Sequence, residues 1–226
     1  MGFIDITLQL LRGFGTTFLL FALTLLLSLP LGLLFCFGSM SRFIPLRWLS
    51  RSVVYVIRGT PLLLQLFIVV YLPGILLDAP ITKWSIFNGN VLAAYFFGAL
   101  FAFVLNYSCY FSEIYRGGIE SISAGQYEAG QVLGMTKRQI FFKVILLQVI
   151  KRILAPISNE TVTLVKDTSL ARSVTVYEMF FYANQILTTE ALLWPLCYAG
   201  LFYLVFNALI TWLFNKAEKK LSYFRA

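Results

Sequence analysis

GFGTTFLLFALTLLLSLPLGLLFCFGSMS, residues 13–41, contains no charged side chain and is closed off by Arg12 and Arg42. A helix needs roughly 20 apolar residues to cross the hydrocarbon core of a bilayer. This run exceeds that length. It is too long for the apolar core of a signal peptide and carries no convincing small-residue cleavage site. The stretch predicts a first transmembrane helix over 14–39. Pro30 and Gly32 are tolerated within it, because neighbouring helices can satisfy the backbone groups they free.

The same pattern recurs along the chain. Charge-free stretches run from Gly59 to Leu77, from Trp84 to Ser112 and from Ala191 to Asn215. They predict spans over 53–77, 88–112 and 191–215. A weaker span, 144–165, is interrupted by Lys151, Arg152 and Glu160; alternation of the loops requires it. Of the 226 residues, 59% are hydrophobic and 12% charged, about half the charged fraction of a soluble domain. Disorder, a collagen-like fibre and a coiled coil are excluded. The expected fold is an all-α polytopic membrane protein, one domain over 1–226 with five transmembrane helices.

Loop charge sets the orientation. Five spans gather Arg42, Arg47, Arg51 and Arg58, the cations from Arg116 to Arg152, and the tail residues Lys216, Lys219, Lys220 and Arg225 on one side. Arg12, Lys83, Lys166 and Arg172 fall on the other. The richer side holds 14 of the 18 Lys and Arg residues, so it is predicted cytoplasmic, with the N-terminus outside and the C-terminus inside. The net charge of +8 is therefore read as topology and contact with membrane lipid, not as a nucleic-acid surface.

Several chemistries are excluded. With no histidine in the chain, His-based metal sites, general bases and proton relays are impossible. Cys36, Cys109 and Cys197 are far apart in apolar runs and read as small hydrophobes. No phosphate-binding loop of the GxxxxGK[ST] type occurs, so no ATP site is expected in this chain. No catalytic residue, no metal and no resident cofactor are expected. No internal repeat is visible, which weighs against a secondary transporter built from inverted repeats.

The longest polar stretch, 113–143, exceeds what a connector needs. Ser123 to Gln126 fits a capping box that would open a helix over about 124–133. Gly134 suits the left-handed position that ends a helix. Thr136 to Gln139 is a second capping box, opening a helix that leads back to the membrane. A helix this short is not stable alone and is suited to docking on a partner; a surface loop without a partner is the alternative.

Glu128-Ala129-Gly130, then Gly134, then Val144 and Leu146, resembles the EAA loop of ABC importer permeases. There the motif reads Glu-Ala-Ala, three residues, Gly, nine residues, Ile, one residue, Leu, Pro. Gly130 and Leu147 depart from it. Arg58-Gly59-Thr60-Pro61-Leu62-Leu63-Leu64-Gln65, Glu113-Ile114-Tyr115-Arg116-Gly117-Gly118-Ile119 and Lys166-Asp167-Thr168-Ser169-Leu170-Ala171 are similar, in order, to segments of the polar amino-acid branch. The resemblance covers about residues 10–215 and implies a type I importer permease. It implies a bacterial cytoplasmic-membrane subunit that pairs with an identical or similar permease. Two cytosolic subunits would bind ATP and Mg, and an extracytoplasmic binding protein would deliver the amino acid. Gln126, Tyr127, Glu128, Ala129, Gly130 and Gly134 would form the ATPase-coupling helix.

Charged residues within spans are costly and point to function. Glu160 and Asp167 are two helical turns apart and share a face with Thr163 between them. Facing a cavity, they would attract a cationic substrate. Alternatively Glu160 pairs with another helix and Asp167 with Lys166 or Arg172. Thr60 is placed to cap a helix begun at Pro61. Thr60 and the amides after it are candidates for the substrate's α-carboxylate and Gln65 for the pocket; the alternative is a helix start at the cytoplasmic interface, and Arg58 is expected to snorkel to lipid phosphate. A self-sufficient secondary transporter is the competing function, with Glu160 as its ion site; a membrane enzyme lacks any nucleophile or base motif.

Overall fold

The computed structural model describes residues 2–221. Arg225, counted among the tail cations, lies outside them. The described residues form helices joined by short turns. Helix α1, Phe3–Ser39, absorbs the first predicted span and starts eleven residues earlier than expected. Its 37 residues measure roughly 55 Å at 1.5 Å per residue. It lies along α4, Val91–Glu120. Small residues permit the approach: a Cβ added at Gly32 would stand 2.9 Å from the Cβ of Phe111.

The predicted span 53–77 is not one helix. It is broken into α2, Ile44–Arg58, and α3, Leu62–Leu77, whose axes differ by 105°. The reason is local. Pro61 lacks an N–H and disfavours a helical residue before it, so the α2 ladder stops at Gly59. Thr60 does not cap α3; Pro61 occupies the N-cap position. The Thr60 hydroxyl instead donates back to the Val56 carbonyl at 3.0 Å. Gln65 closes the elbow. Its Nε2 donates to the carbonyls of Ile57 at 2.7 Å and Thr60 at 3.1 Å, and to Thr60 Oγ1 at 2.9 Å. Its Oε1 accepts from Asn106 Nδ2 of α4 at 2.9 Å.

The chain then passes through two 3-10 turns into α4, which Asn90 caps by accepting from Ala93 N at 3.0 Å. After α4 come α5, Ala124–Val132, and α6, Lys137–Ile140. One π turn, Phe141–Ile145, leads into α7, Leu146–Asp167. A 3-10 segment follows α7. Next come α8, Met179–Glu190, which the sequence did not announce, and α9, Trp194–Leu221. Phe206 of α9 packs edge-on against Phe14 and Phe21 of α1. Among the described residues, α1, α4 and α9 are long and apolar enough to cross a membrane, and α2 with α3 counts as a fourth if the bent pair is one span. Helix α7 does not pass that test, in keeping with its interrupted hydropathy.

Buried Gln65 uses both ends of its carboxamide, so its removal strands donors and acceptors on two helices. Gln65→Leu should destabilise the protein by about 1–3 kcal/mol, seen as a lower melting temperature of the detergent-purified chain. An unchanged melting temperature would show that the elbow does not depend on this clamp.

Candidate functional site

Two regions bring the predicted residues together. The first is the loop of α5 and α6. Ser123 stands at the N-cap of α5, but its side chain makes no capping hydrogen bond. The C-terminal signal forms in full. Gly134 adopts φ +71°, Gly134 N donates to the Gln131 carbonyl at 2.9 Å, and Met135 N donates to the Gly130 carbonyl at 3.0 Å. These are the paired bonds of a Schellman ending. The Thr136 box also forms, Gln139 N donating to Thr136 Oγ1 and Thr136 N to Gln139 Oε1.

This double turn sits on a small core of its own. Ile122, Ile140, Ile145 and Val149 are buried, with Tyr127, Val144 and Ile153 packed around them. Tyr127 therefore faces inward, while Gln126, Glu128 and Ala129 are exposed. Val132 and Leu133 are 87% and 78% exposed, an apolar tip on the same short helix. The departure at Gly130 has a steric cause. A Cβ there would meet Ile140 Cγ1 at 2.6 Å.

The second region is a cavity of about 560 Å³ between α4 and α7, roofed by the elbow. Arg58, Tyr110, Glu113, Arg152, Pro156 and Glu160 line it. On α4 the lining residues recur every three or four positions, and on α7 every four, so one stripe of each helix faces the other. Glu113 accepts from Arg116 Nε at 3.0 Å and Nη2 at 2.6 Å, and Arg116 also reaches Glu120 at 2.7 Å. Arg58 stands 3.6 Å from Glu113 and 5.1 Å above the Tyr110 ring. Arg152 donates to the Ser121 carbonyl. Among the described residues, no hydrogen bond or ion pair engages the half-buried Glu160 carboxylate.

The other candidates lie apart from this cavity. Asp167 shares the α4-facing stripe of α7, but Tyr107 OH donates to its Oδ2 at 2.7 Å. Thr163 donates to the Asn159 carbonyl of its own helix. Gln65 and Thr60 hold the elbow. Arg58, expected to reach for lipid, turns into the cavity instead. One residue escaped the sequence reading altogether. Glu178 is fully buried, caps α8 by accepting from Phe180 N and Phe181 N at 2.7 and 2.6 Å, and accepts from Tyr203 OH of α9 at 3.0 Å. Burial pushes its carboxyl up to about 7. The available signal was its place just before the Met179-Phe180-Phe181 run, though glutamate is not among the favoured N-caps.

Comparison with known proteins gives a consistent result. Residues 28–223 match the family described as the binding-protein-dependent transport system inner membrane component. The L-cystine transport system permease protein TcyB of Bacillus subtilis is 40% identical over 175 residues, covering 77% of this chain and 69% of that protein. The octopine transport system permease protein OccM of Rhizobium radiobacter is 34% identical over 196 residues, 84% of this chain and 78% of that one. The arginine transport system permease protein ArtQ of Bacillus subtilis is 32% identical over 213 residues, 94% and 92% of the two chains. Among solved structures, a chain of an amino acid ABC transporter crystallised with histidines superposes with a TM-score of 0.83 at 27% identity, covering 96% of each chain.

The Gly130–Ile140 contact is testable by paired substitution. Gly130→Ala alone should cost about 1–3 kcal/mol by overpacking and lower the melting temperature. Adding Ile140→Ala should recover part of the loss. If the double variant melts no higher than the single one, the contact does not explain the glycine.

Proposed function

We propose that this chain, which belongs to the family of binding-protein-dependent transport system inner membrane components and is the permease subunit of an amino-acid ABC importer, carries a cationic amino acid past Glu160. It is a transport subunit of the bacterial inner membrane and not an enzyme, and it works within a complex that includes ATPase and substrate-binding partners. The observation that carries the cationic reading is the Glu160 carboxylate: half-buried, without an ion-pair partner among the described residues, on the wall of a cavity large enough for an amino acid. A charge in such a place is costly, and a ligand cation offsets the cost. Relatives named for arginine and octopine transport support the same class; the relative named for cystine, at 40% identity, does not.

Five spans with the N-terminus outside remain the topology we favour: α1, the elbow with α3, α4, α7 and α9. The charge bias of the loops supports it. Helix α7 would be shielded from lipid by α4, α9 and a second permease chain, identical or similar. Two cytosolic ATPase subunits, binding ATP and Mg, would each receive one α5 helix through Glu128 and the apolar tip. An extracytoplasmic binding protein would load the opposite face.

Coupling follows from packing. Helices α5 and α6 rest on the end of α4 and the start of α7 through one buried cluster. A push on α5 therefore moves both walls of the cavity. Glu160 lies 14 residues beyond Leu146 on α7, roughly 21 Å along the helix axis, so a small tilt at the docking end is passed to the carboxylate. The close-packed joint of Gly130 on Ile140 leaves little slack for the push to be lost.

Two substitutions check this reading in proteoliposomes containing the whole transporter. Glu128→Lys should leave assembly in the membrane intact while abolishing most ATP-driven uptake; unchanged uptake would rule out docking through Glu128. Glu160→Gln should lower uptake of arginine roughly tenfold, the equivalent of about one pKa unit of charge interaction, and that of glutamine far less. Equal losses for both substrates would assign Glu160 a structural role.

A further inference from the structure

Arg58 is the loosely held cation of the cavity. Glu113, its ion-pair partner, is already engaged by Arg116 through two hydrogen bonds of 3.0 and 2.6 Å. Arg58 reaches the same carboxylate only at 3.6 Å, with 40% of its side chain exposed. A pair of that kind is worth about 0–1 kcal/mol. Its remaining support is the face of Tyr110. Arg58 and Glu113 also line a second cavity of about 500 Å³ against α2. The guanidinium therefore stands at a partition, with room on either side. Its backbone has no such freedom, since the carbonyls of Ile57 and Thr60 on either side of it are clamped by Gln65.

Arg58 and Glu160, of opposite charge, line one cavity. Arg152 lines the same space but is committed to the Ser121 carbonyl. We propose that Arg58 is a specificity-determining residue: an internal cation that neutralises the Glu113–Glu160 end of the cavity and that a cationic amino-acid side chain displaces. This rests on the reading that Glu160 faces substrate. A cationic substrate exchanges one positive charge for another at Glu160, and Arg58 swings toward the second cavity. A neutral substrate does not compete for the carboxylate and leaves Arg58 in place. Selectivity is then a difference between two cations, tuned by how firmly Glu113 and Tyr110 hold the first.

The test is equilibrium binding of radiolabelled arginine and glutamine to the assembled, detergent-purified transporter in the absence of its binding protein. Arg58→Met, which keeps the length and removes the charge, should bind arginine roughly fivefold more tightly, the loss of a competitor worth about 1 kcal/mol. Glutamine binding should not change. Arg58→Lys should resemble the wild type, and the gain should vanish when Arg58→Met is combined with Glu160→Gln. Glu113→Gln should act in the opposite sense, releasing Arg58 toward Glu160 and weakening arginine binding; this variant reports even if Arg58→Met fails to assemble. Weaker binding of both amino acids to Arg58→Met would overturn the proposal and assign Arg58 to the substrate carboxylate. Unchanged binding, or no binding by either protein, would overturn it as well. Insensitivity of arginine binding to Glu160→Gln alone would remove the underlying reading of Glu160, whereas a failure confined to the Arg58 variants leaves that reading standing.

Discussion

The Gln65 carboxamide holds the turn on which the cavity depends. Pro61 forbids a continuous helix at the elbow, but a broken helix is a hinge unless its freed carbonyls find donors. Gln65 supplies them and, through Asn106, fastens the turn to α4. The elbow becomes a bracket. It places Arg58 over Tyr110 and beside Glu113, and it fixes the third wall of the space that α4 and α7 enclose. A buried amide with all its bonds made is a strong constraint, because any displacement leaves several polar groups unpaired at once.

What was legible in the sequence followed from local rules. Charge-free runs announced α1, α4 and α9, since lipid solvation demands apolar length. Gly134 and the Thr136 box marked the ends of the short helices α5 and α6, because left-handed backbone and capping geometry are decided within four residues. The elbow was half legible: Thr60 and Pro61 signalled a helix start, but the Thr60 hydroxyl turned back to donate to Val56 of α2. Glu160 and Asp167 did fall on one face of α7. Which of them meets the cavity depended on Tyr107, sixty residues earlier in the chain, and no spacing rule reports such a partner. Glu178 was missed for the same reason: its acceptor role is completed by Tyr203 on a helix 25 residues away.

The small core around Ile140 and the charged cavity illustrate two solutions to burial on one pair of helices. Near the α5–α6 loop, α4 and α7 are joined by close apolar packing, as Gly118 of α4 pressed on Ile153 of α7 shows. One and a half turns further along α4, the same helices part around carboxylates and guanidinium groups. Rigid contact at one end and polar space at the other is what a lever requires: motion enters where packing is tight and is expressed where it is loose.

Helix α1 is longer than the membrane is thick. Its roughly 55 Å exceed a hydrocarbon core of about 30 Å by more than the usual tilt of up to 40° can absorb. Several turns must stand clear of the hydrocarbon core, and those near Phe3 are embedded against α8 and α9 through Ile6, Leu10, Met179 and Ala199. Such a post cannot slide along its own axis without pulling apolar side chains from their sockets. The subunit thus has a fixed keel, and any rearrangement of its pathway has to be made by the shorter helices swinging about it.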